Sequence, residues 1–354
     1  MRYAMIMAGG AGKRLWPASR QNKPKQLIRF FDDKSLLELA LERLEGLFPS
    51  EQTFIITNAS YVESIRERVS QLPAENIIGE PEGRDTANAI ALGAEIIAAR
   101  DADATMAVFT ADHIIRPVDE FQQCVEKACQ AAEDDPKALV TFGIRPTHPH
   151  TGLGYIQCGE GEVRKVFAFK EKPDHHTARY YVESGRYFWN SGMFIWKVQT
   201  IREALQKYLP ESAEAFKKVG EALRKGEDIT NLLKEIYPQL PKISIDYAVM
   251  EKADHVLMVE LTCSWLDVGS WPALAEVVST DADGNAVLTK RAIVIDGSSN
   301  ILFSEDDHLI ALMGLDECIV VHTPDATLVC NKSDAQRLKE LVEKVGEKYG
   351  QEYL

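Results

Sequence analysis

Short apolar runs alternate with helical segments along residues 1–145, and this alternation is the strongest constraint on the fold. The apolar runs are brief and uninterrupted, which is typical of strands buried on both faces. The alternation predicts an α/β fold with a Rossmann-like mixed, mostly parallel sheet flanked by helices. The predicted strands are YAMIMAG, TFIITN, NIIGEP, TMAVFTADHII (ending at Asp112) and ALVTFGI, and the predicted helices are 35–48, 61–72, 86–100 (with Thr86 as its N-cap) and 120–133.

The remainder of the chain shows two further sequence patterns. Residues 146–280 are less regular and look like an elaboration of the same sheet, with strands in EVRKVFAFKEKP, YFWNSGMFIWKV and HVLMVEL, helices at 198–209 and 245–253, and a turn-rich loop in SWLDVGSWP. Residues 281–354 contain short β-branched runs between turns, followed by an amphipathic helix at 333–349. This pattern predicts a small solenoid-like β-module with a terminal helix. We therefore expect a catalytic domain at 1–280 and a C-terminal module at 281–354.

Composition excludes several classes of protein. The net charge of −14 argues against a nucleic-acid-binding protein, which needs a basic face. No apolar stretch approaches the ~20 residues of a membrane span, and the first apolar run does not look like a secretory signal, so we expect a cytoplasmic protein. The six cysteines form no CxxC pair, which predicts reduced thiols. The histidines match no zinc spacing and are better explained as loop or surface residues.

Positive charge is concentrated around one glycine turn, in AMIMAGGAGKRLWPASRQNKPKQL at 4–27. A dinucleotide-binding GxGxxG motif would need a third glycine, and a Walker A loop would need glycine at Met7 and Ser or Thr at Arg14. The glycines could instead direct main-chain N–H groups toward phosphates, with Arg14 and Lys25 nearby. The alternative is an ordinary strand–helix turn with solvated basic residues.

The same stretch resembles the signature of nucleotide-sugar pyrophosphorylases, GGxGxRLxPxS…PKQ, and its WP…SR version resembles the mannose-1-phosphate guanylyltransferase branch. Further family motifs follow in order up to about residue 272: GEPEGRDTANAIALGA, FTADHII, GLGYI, FKEKP, WNSGMFIW and LDVGSW. The C-terminal module resembles the left-handed β-helix-like module of the short, single-activity members. The resemblance therefore implies a nucleotidyltransferase without the isomerase domain of longer relatives.

The implied reaction transfers GMP from GTP to mannose 1-phosphate, giving GDP-mannose and pyrophosphate. The sugar phosphate attacks the α-phosphorus in line, so positioning and charge neutralisation dominate catalysis. An alternative is another sugar 1-phosphate and nucleotide pair, such as glucose 1-phosphate with UTP or dTTP. A second alternative is a catalytically silent homologue that senses nucleotide sugars. A Rossmann-type oxidoreductase is disfavoured by the glycine spacing.

The resemblance also assigns roles around the glycine turn. Arg14 would bind the leaving β- and γ-phosphates, and Lys25 would stabilise charge near the α-phosphate. Asp112 and Asp267 would share Mg²⁺, an ion that prefers one or two carboxylates together with phosphates and waters. These four residues are the expected catalytic set, although the two carboxylates could also be surface or helix-capping groups. The expected nucleotide-binding residues are Ala8, Gly9, Gly10, Gly12, Lys13, Arg14, Glu80, Asp85 and Thr86.

The base and sugar sites are implied by the later motifs. Glu80 opens the base loop, where its carboxylate could accept hydrogen bonds from guanine N1–H and the exocyclic amine. In the sugar site, Glu171 would accept hydrogen bonds from hydroxyls, and Asn190 would both donate and accept. The expected sugar-phosphate-binding residues are Gly154, Glu171, Lys172, Asn190 and Asp267. His113 is better explained as a packing or orienting residue than as a general base.

Three residues depart from the family pattern: Lys13 replaces a threonine, Asp85 an asparagine and Asn88 a proline. The last two lie in the base loop, whose sequence bears on guanine preference. The expected partners are GTP and mannose 1-phosphate, with neither nucleic acid nor membrane. An apolar β-module with a terminal helix commonly supports self-association, so we also expect a homodimer.

Overall fold

The computed structural model describes residues 1–10, 12–31 and 34–354, which divide into two compact units. The sheet unit comprises residues 1–9, 41–111 and 115–265. The solenoid unit comprises residues 10–40, 112–114 and 266–354. The segment 10–40, which carries the glycine turn, thus packs with the C-terminal strands. The functional boundary at residue 280 stays a prediction.

Strands and helices follow one another along the whole chain. The strands are β1 (Arg2–Ala8), β2 (Arg29–Phe31), β3 (Lys34–Ser35), β4 (Thr53–Asn58), β5 (Ile77–Glu80), β6 (Thr105–Thr110), β7 (His113–Arg116), β8 (Leu139–Ile144), β9 (Tyr155–Cys158), β10 (Val163–Lys170), β11 (Tyr187–Lys197), β12 (Val256–Leu261), β13 (Ser264–Asp267), β14 (Ala286–Leu288), β15 (Ala292–Ile295), β16 (Ile301–Ser304), β17 (Ile310–Met313), β18 (Cys318–Thr323) and β19 (Ala326–Asn331). The α-helices are α1 (Leu36–Glu42), α2 (Val62–Arg68), α3 (Thr86–Arg100), α4 (Val118–Asp134), α5 (His175–Ser184), α6 (Val198–Tyr208), α7 (Pro210–Arg224), α8 (Thr230–Ile236), α9 (Trp271–Ala275) and α10 (Leu338–Tyr349).

The sheet unit is built on a nine-stranded sheet of order β5-β4-β1-β6-β11-β8-β12-β10-β9. Strands β10 and β11 run against the other seven, as the antiparallel pairs show. The central strands β1 and β6 are parallel and their carboxyl ends coincide, with Met7 opposite Thr110. Ligands bind beyond such ends in α/β sheets. The predicted Rossmann-like, mostly parallel sheet with flanking helices is confirmed.

The solenoid unit contains a parallel β-helix-like array. Strand β16 pairs in parallel with both β14 and β18, and β15 pairs in parallel with β17. Its core includes Trp16 from the segment after the glycine turn and Trp271 from α9. The Trp271 indole donates to the Trp16 carbonyl at 3.2 Å, and the Trp16 indole donates to the Tyr353 carbonyl at 2.7 Å. The predicted β-module and terminal helix are confirmed.

Several predicted elements need correction. The run at 105–115 is two strands, β6 and β7, because strand pairing is interrupted at Ala111 and Asp112. Asp267 ends strand β13 rather than lying in a loop. The segment predicted as an α-helix at 245–253 contains a π-helix, Asp246–Met250. Helices α5, α7, α8 and α9 and strand β9 have no counterpart in the sequence prediction, although α5 has a side-chain cap at Asp174. None of the helices in the described part of the chain has the length and apolar character that crossing a membrane requires.

Candidate active site

The glycine turn packs directly on Lys25. Gly12 has a φ of +68°, which glycine adopts without strain, and precedes a short 3₁₀ turn, Lys13–Leu15. A Cβ on Gly12 would lie 2.5 Å from Lys25 Cβ, so a side chain here would displace the lysine. The hydroxyl of Ser19 donates to the Gly12 carbonyl at 2.7 Å and holds the turn closed. Gly12 is therefore required for both its backbone conformation and this close contact.

The Lys25 ammonium lies between two carboxylates of the solenoid unit. Its Nζ is 2.5 Å from Asp112 Oδ2 and 3.9 Å from Asp267 Oδ1. It also lies 3.3 Å from the Val268 carbonyl, while the Val268 N–H donates to the Asp112 carbonyl at 3.1 Å. The lysine side chain is only 12% exposed. Two carboxylates that are 155 residues apart in sequence (112 to 267) therefore share one buried cation.

These charges shift the pKa values of the group. Burial alone would raise the pKa of Asp112, but Lys25 and His113 outweigh it and lower that pKa to about 2. Burial would lower the pKa of Lys25, but Asp112 and Asp267 outweigh burial and raise it. At neutral pH the lysine is therefore an ammonium and Asp112 a carboxylate.

Asp112, His113 and Asp267 could together hold a metal ion, since each offers one ligand atom and these atoms lie within 4.8 Å of one another. Asp267 Oδ1 is buried without a hydrogen-bond partner in the described part of the chain. A buried carboxylate oxygen without a hydrogen bond is costly, and Lys25 Nζ, at 3.9 Å, is too far away to supply one. Hard oxygen ligands of this kind suit a divalent ion such as Mg²⁺.

Lys13 and Arg14 differ although they are adjacent in the 3₁₀ turn. Lys13 is exposed, whereas Arg14 is half-buried. The buried Nε of Arg14 has no hydrogen-bond partner among the described residues. Arg14 is close enough to Lys25 to oppose the rise in its pKa. The planar guanidinium of such an arginine has the geometry to bind a phosphate through two hydrogen bonds.

The first residue of the predicted base loop, Glu80, lies at the end of β5 beside Gly9. Its Oε2 is 3.6 Å from the position that a Cβ on Gly9 would occupy. Its Oε1 accepts a 3.0 Å hydrogen bond from the hydroxyl of Tyr237. Burial raises the pKa of Glu80 to about 7, although this hydrogen bond opposes the rise. Sequence analysis missed Tyr237, which is fully buried and 157 residues away.

The residues that depart from the family pattern in this loop have structural roles. Asp85, not Thr86 as expected, caps α3, with a φ of +66° that is uncommon outside glycine, asparagine and aspartate. Thr86 Oγ1 accepts from the Ile245 N–H at 2.9 Å. The Asn88 amide donates to the carbonyls of Arg84 and Pro241 and accepts from Ser212. The buried Asn88 therefore ties the loop to neighbouring segments.

Four of the five predicted sugar residues cluster in the sheet unit, and the fifth, Asp267, belongs to the solenoid unit. A Cβ on Gly154 would lie 2.4 Å from Glu171 Oε2, so only glycine leaves room for this carboxylate. The Asn190 N–H donates to the Gly154 carbonyl at 2.8 Å. Lys172 Nζ is 3.0 Å from Glu171 Oε1, and Lys172 itself has a φ of +46°. Such backbone strain in a non-glycine residue often accompanies function.

The predicted residues divide into two groups, one in each unit. One group lies in the solenoid unit: Gly10, Gly12, Lys13, Arg14, Lys25, Asp112 and Asp267. The other lies in the sheet unit: Ala8, Gly9, Glu80, Asp85, Thr86, Gly154, Glu171, Lys172 and Asn190. Sequence analysis missed Ser19, Tyr237 and Asp246; Ser19 alone had a signal, since it lies within the recognised motif.

Comparison with known families agrees with this architecture. The family described as "Nucleotidyl transferase" matches residues 3–284, and a "MannoseP isomerase/GMP-like beta-helix domain" matches residues 290–345. Together with the sheet topology, the first match defines the class of protein as a nucleotidyl transferase. A UDP-glucose pyrophosphorylase from Acinetobacter baumanii shares this fold, with a TM-score of 0.51 at 14% identity over 78% of this chain and 91% of that one.

Two relatives are much more similar. A mannose-1-phosphate guanylyltransferase of Klebsiella pneumoniae is 40% identical over 100% of this chain and 76% of its own length. A crystal structure described as a mannose-1-phosphate geranyltransferase from Thermus thermophilus superposes with a TM-score of 0.87 at 35% identity, covering 97% of this chain and 99% of that one. The chain belongs to the mannose-1-phosphate guanylyltransferase family, as its motifs indicated.

Proposed function

We propose that this protein transfers GMP from GTP to mannose 1-phosphate and releases pyrophosphate, giving GDP-mannose. The observation that carries the proposal is the Lys25 ammonium, which lies beside Gly12 and between Asp112 and Asp267. Two polyanionic substrates repel each other. The two carboxylates outweigh the single charge of Lys25, so this group would become net positive once it holds a divalent cation, for which Asp112 and Asp267 offer ligand atoms. Family membership supports the same reaction.

In the proposed reaction, an oxygen of mannose 1-phosphate attacks the α-phosphorus of GTP in line. The bond from the α-phosphorus to the bridging oxygen of the β-phosphate breaks, and pyrophosphate leaves with the electron pair. The main-chain N–H groups of the glycine turn bind the triphosphate, and Arg14 binds the leaving phosphates. Lys25 neutralises charge that develops at the α-phosphate, which is the type of preorganised electrostatic stabilisation that dominates such transfers.

Asp112 and Asp267 hold the divalent cation in this proposal, and the unsatisfied Asp267 Oδ1 is the observation in its favour. Mg²⁺ would lower the charge repulsion between the two substrates by binding their phosphate oxygens. Within the protein, the Lys25 ammonium partly balances the negative charge of the same carboxylates, and its Nζ lies 2.5 Å from Asp112 Oδ2.

The sheet unit would bind the guanine base, the mannose ring and, through Lys172, the sugar phosphate. Glu80 would accept from guanine N1–H and the exocyclic amine, with Tyr237 holding its carboxyl group. Glu171, Asn190 and Gly154 would bind the mannose ring, and Lys172 its phosphate. Hydroxyl groups need hydrogen-bond partners at defined positions rather than net charge, and the partly paired Glu171 carboxylate meets that need.

A pyrophosphate-release assay tests the proposal. The protein is incubated with Mg²⁺, one of GTP, ATP, UTP and dTTP, and either mannose 1-phosphate or glucose 1-phosphate. We expect release with GTP and mannose 1-phosphate, complete loss on adding EDTA and recovery with excess Mg²⁺. Release with a different pair would correct the specificity, and no release with any pair would favour a silent sensor. Activity that survives EDTA would contradict the metal role.

A cytoplasmic homodimer remains part of the proposal. In the solenoid unit, Ile295 pairs in register with Met313, and both are exposed, at 43% and 70%. Neighbouring Ile293 is 52% exposed, so this sheet presents an apolar face. Such faces mark association surfaces in soluble proteins. Light scattering of the wild type and of Met313→Asp should give a dimer and a monomer, respectively.

A further inference from the structure

A carboxyl group with no role in the sequence analysis lies against the predicted sugar residues. Asp246 opens the five-residue π-helix, Asp246–Met250. Single π-turns cost stability and occur frequently at functional sites. Asp246 Oδ1 accepts a 2.8 Å hydrogen bond from Nδ2 of Asn190, and Glu171 and Lys172 both act on its charge. The π-helix therefore places the Asp246 side chain against the residues of the proposed sugar site.

Hydrogen bonds within the protein determine how the Asn190 amide is oriented. Its Oδ1 accepts from the Gly192 N–H at 3.3 Å. The Thr141 hydroxyl lies 3.2 Å from the same oxygen, but its single hydrogen also faces the Met193 carbonyl at 3.1 Å. A main-chain N–H can only donate, so the oxygen faces Gly192 and the NH₂ group faces Asp246. The Gly192 N–H occupies one acceptor site of the oxygen, and Asp246 binds one of the two amide hydrogens. One amide N–H is left for a ligand, so Asn190 can donate to the sugar.

The same segment fixes the neighbouring acceptor. Glu251, which directly follows the π-helix, accepts a 3.0 Å hydrogen bond from the Glu171 N–H. The Glu171 side chain is 8% exposed, and its buried Oε2 has no hydrogen-bond partner in the described part of the chain. A buried, unpartnered carboxylate oxygen next to a fixed amide donor is what a sugar hydroxyl pair requires, since each hydroxyl can donate and accept.

We propose that Asp246 is a positioning residue of the sugar site: it holds the Asn190 amide so that one N–H points to the sugar 1-phosphate while Glu171 accepts. This inference rests on the proposed function and adds to it a residue that acts only through Asn190. Removing the acceptor frees the amide to rotate, and the lost hydrogen bond weakens sugar binding without touching the nucleotide.

Steady-state kinetics of Asp246→Ala test the role. We expect the KM for mannose 1-phosphate to rise about tenfold, as for loss of one well-formed hydrogen bond, with the KM for GTP unchanged. Asp246→Asn keeps an oxygen acceptor and should restore the KM to within about threefold. The matched control is Asp254→Ala, at a carboxylate that is 89% exposed, which should behave as the wild type.

A double-mutant cycle with Asn190→Ala separates positioning from a general structural effect. If Asp246 acts through Asn190, Asp246→Ala should raise the KM no further in the Asn190→Ala background. Additive effects, an unchanged KM in Asp246→Ala, or equal rises in both KM values would overturn the inference. A wild type that releases no pyrophosphate from GTP and mannose 1-phosphate would instead refute the proposed function, and the two failures are thereby distinguished.

Discussion

The pKa of a carboxyl group is shifted in opposite directions in the two groups of predicted residues. In the solenoid unit, Lys25 and His113 overcome burial and lower the pKa of Asp112 to about 2. In the sheet unit, burial and the nearby Glu171 raise the pKa of Asp246 to about 7. Both carboxyl groups are partly buried, so the sign of the shift depends on the charge of the nearest neighbours.

This difference matches what each group is proposed to bind. Phosphates and a divalent ion need charges that stay constant across neutral pH, and a buried ammonium–carboxylate pair supplies them. A sugar ring is neutral, so its site needs oriented donors and acceptors, and acids there can gain protons near neutrality. The following changes should break or sharpen this contrast, from the largest expected effect to the smallest.

Lys25→Ala should affect the solenoid group most. We expect kcat to fall by roughly 10²–10³, as for loss of one preorganised charge at a reacting centre. The fall should come with little change in the KM for mannose 1-phosphate. Lys127→Ala is the control, because that lysine pairs with Glu162 at the surface. Normal turnover in Lys25→Ala would remove the lysine from the mechanism.

Gly12→Ala should lower kcat by about 10- to 100-fold, since a Cβ would push Lys25 from its position and misplacement by an ångström is costly. Gly226→Ala is matched in backbone strain, with a φ of +74°, but has nothing within 4 Å of the added Cβ. Both variants should lose stability, on the order of 1 kcal/mol. Kinetics and thermal unfolding distinguish the two effects; equal activity in both variants would mean that the contact with Lys25 is unimportant.

Asp246→Asn should change how stability depends on pH. The native Asp246 holds its proton to about pH 7, while the unfolded group loses it near pH 3.8. Between these values the native state binds more protons, so this group makes stability fall as pH rises. The variant should lack that fall, which is at most about 1.4 kcal/mol per pH unit. Urea titrations between pH 5 and 8 measure it, with Asp254→Asn as control; identical slopes would contradict the raised pKa.

Lys13→Ala should have the smallest effect. Its side chain is exposed, whereas that of Arg14 is half-buried with an unpartnered Nε. Exposed charges contribute about 0.2–1 kcal/mol, so the KM for GTP should rise no more than about fivefold. Arg14→Ala should exceed this clearly. Equal effects would show that burial does not separate the two cations.

Local sequence patterns were sufficient for eight of the nine strands of the sheet, all but β9, and for recognising the glycine-turn motif. Strands β1 and β6 were predicted directly from apolar runs, because a strand that is buried on both faces consists almost entirely of apolar residues. The π-helix could not be predicted from the sequence. Residues Asp246–Met250 have the periodicity of any helix, and the wider turn of a π-helix follows from packing. Tyr237 and Asp246 also gave no signal, because their partners Glu80 and Asn190 are distant in sequence.

The sequence by itself determined the family, the alternating α/β order and the identity of the charged residues, because these depend on residue types at short spacing. Only the tertiary structure decided that Lys25 lies between Asp112 and Asp267, that Asn88 ties down the base loop, and that Asp246 orients Asn190. The physical reason is that burial and neighbouring charge set the chemistry of each group, and both arise from segments that meet only when the chain folds.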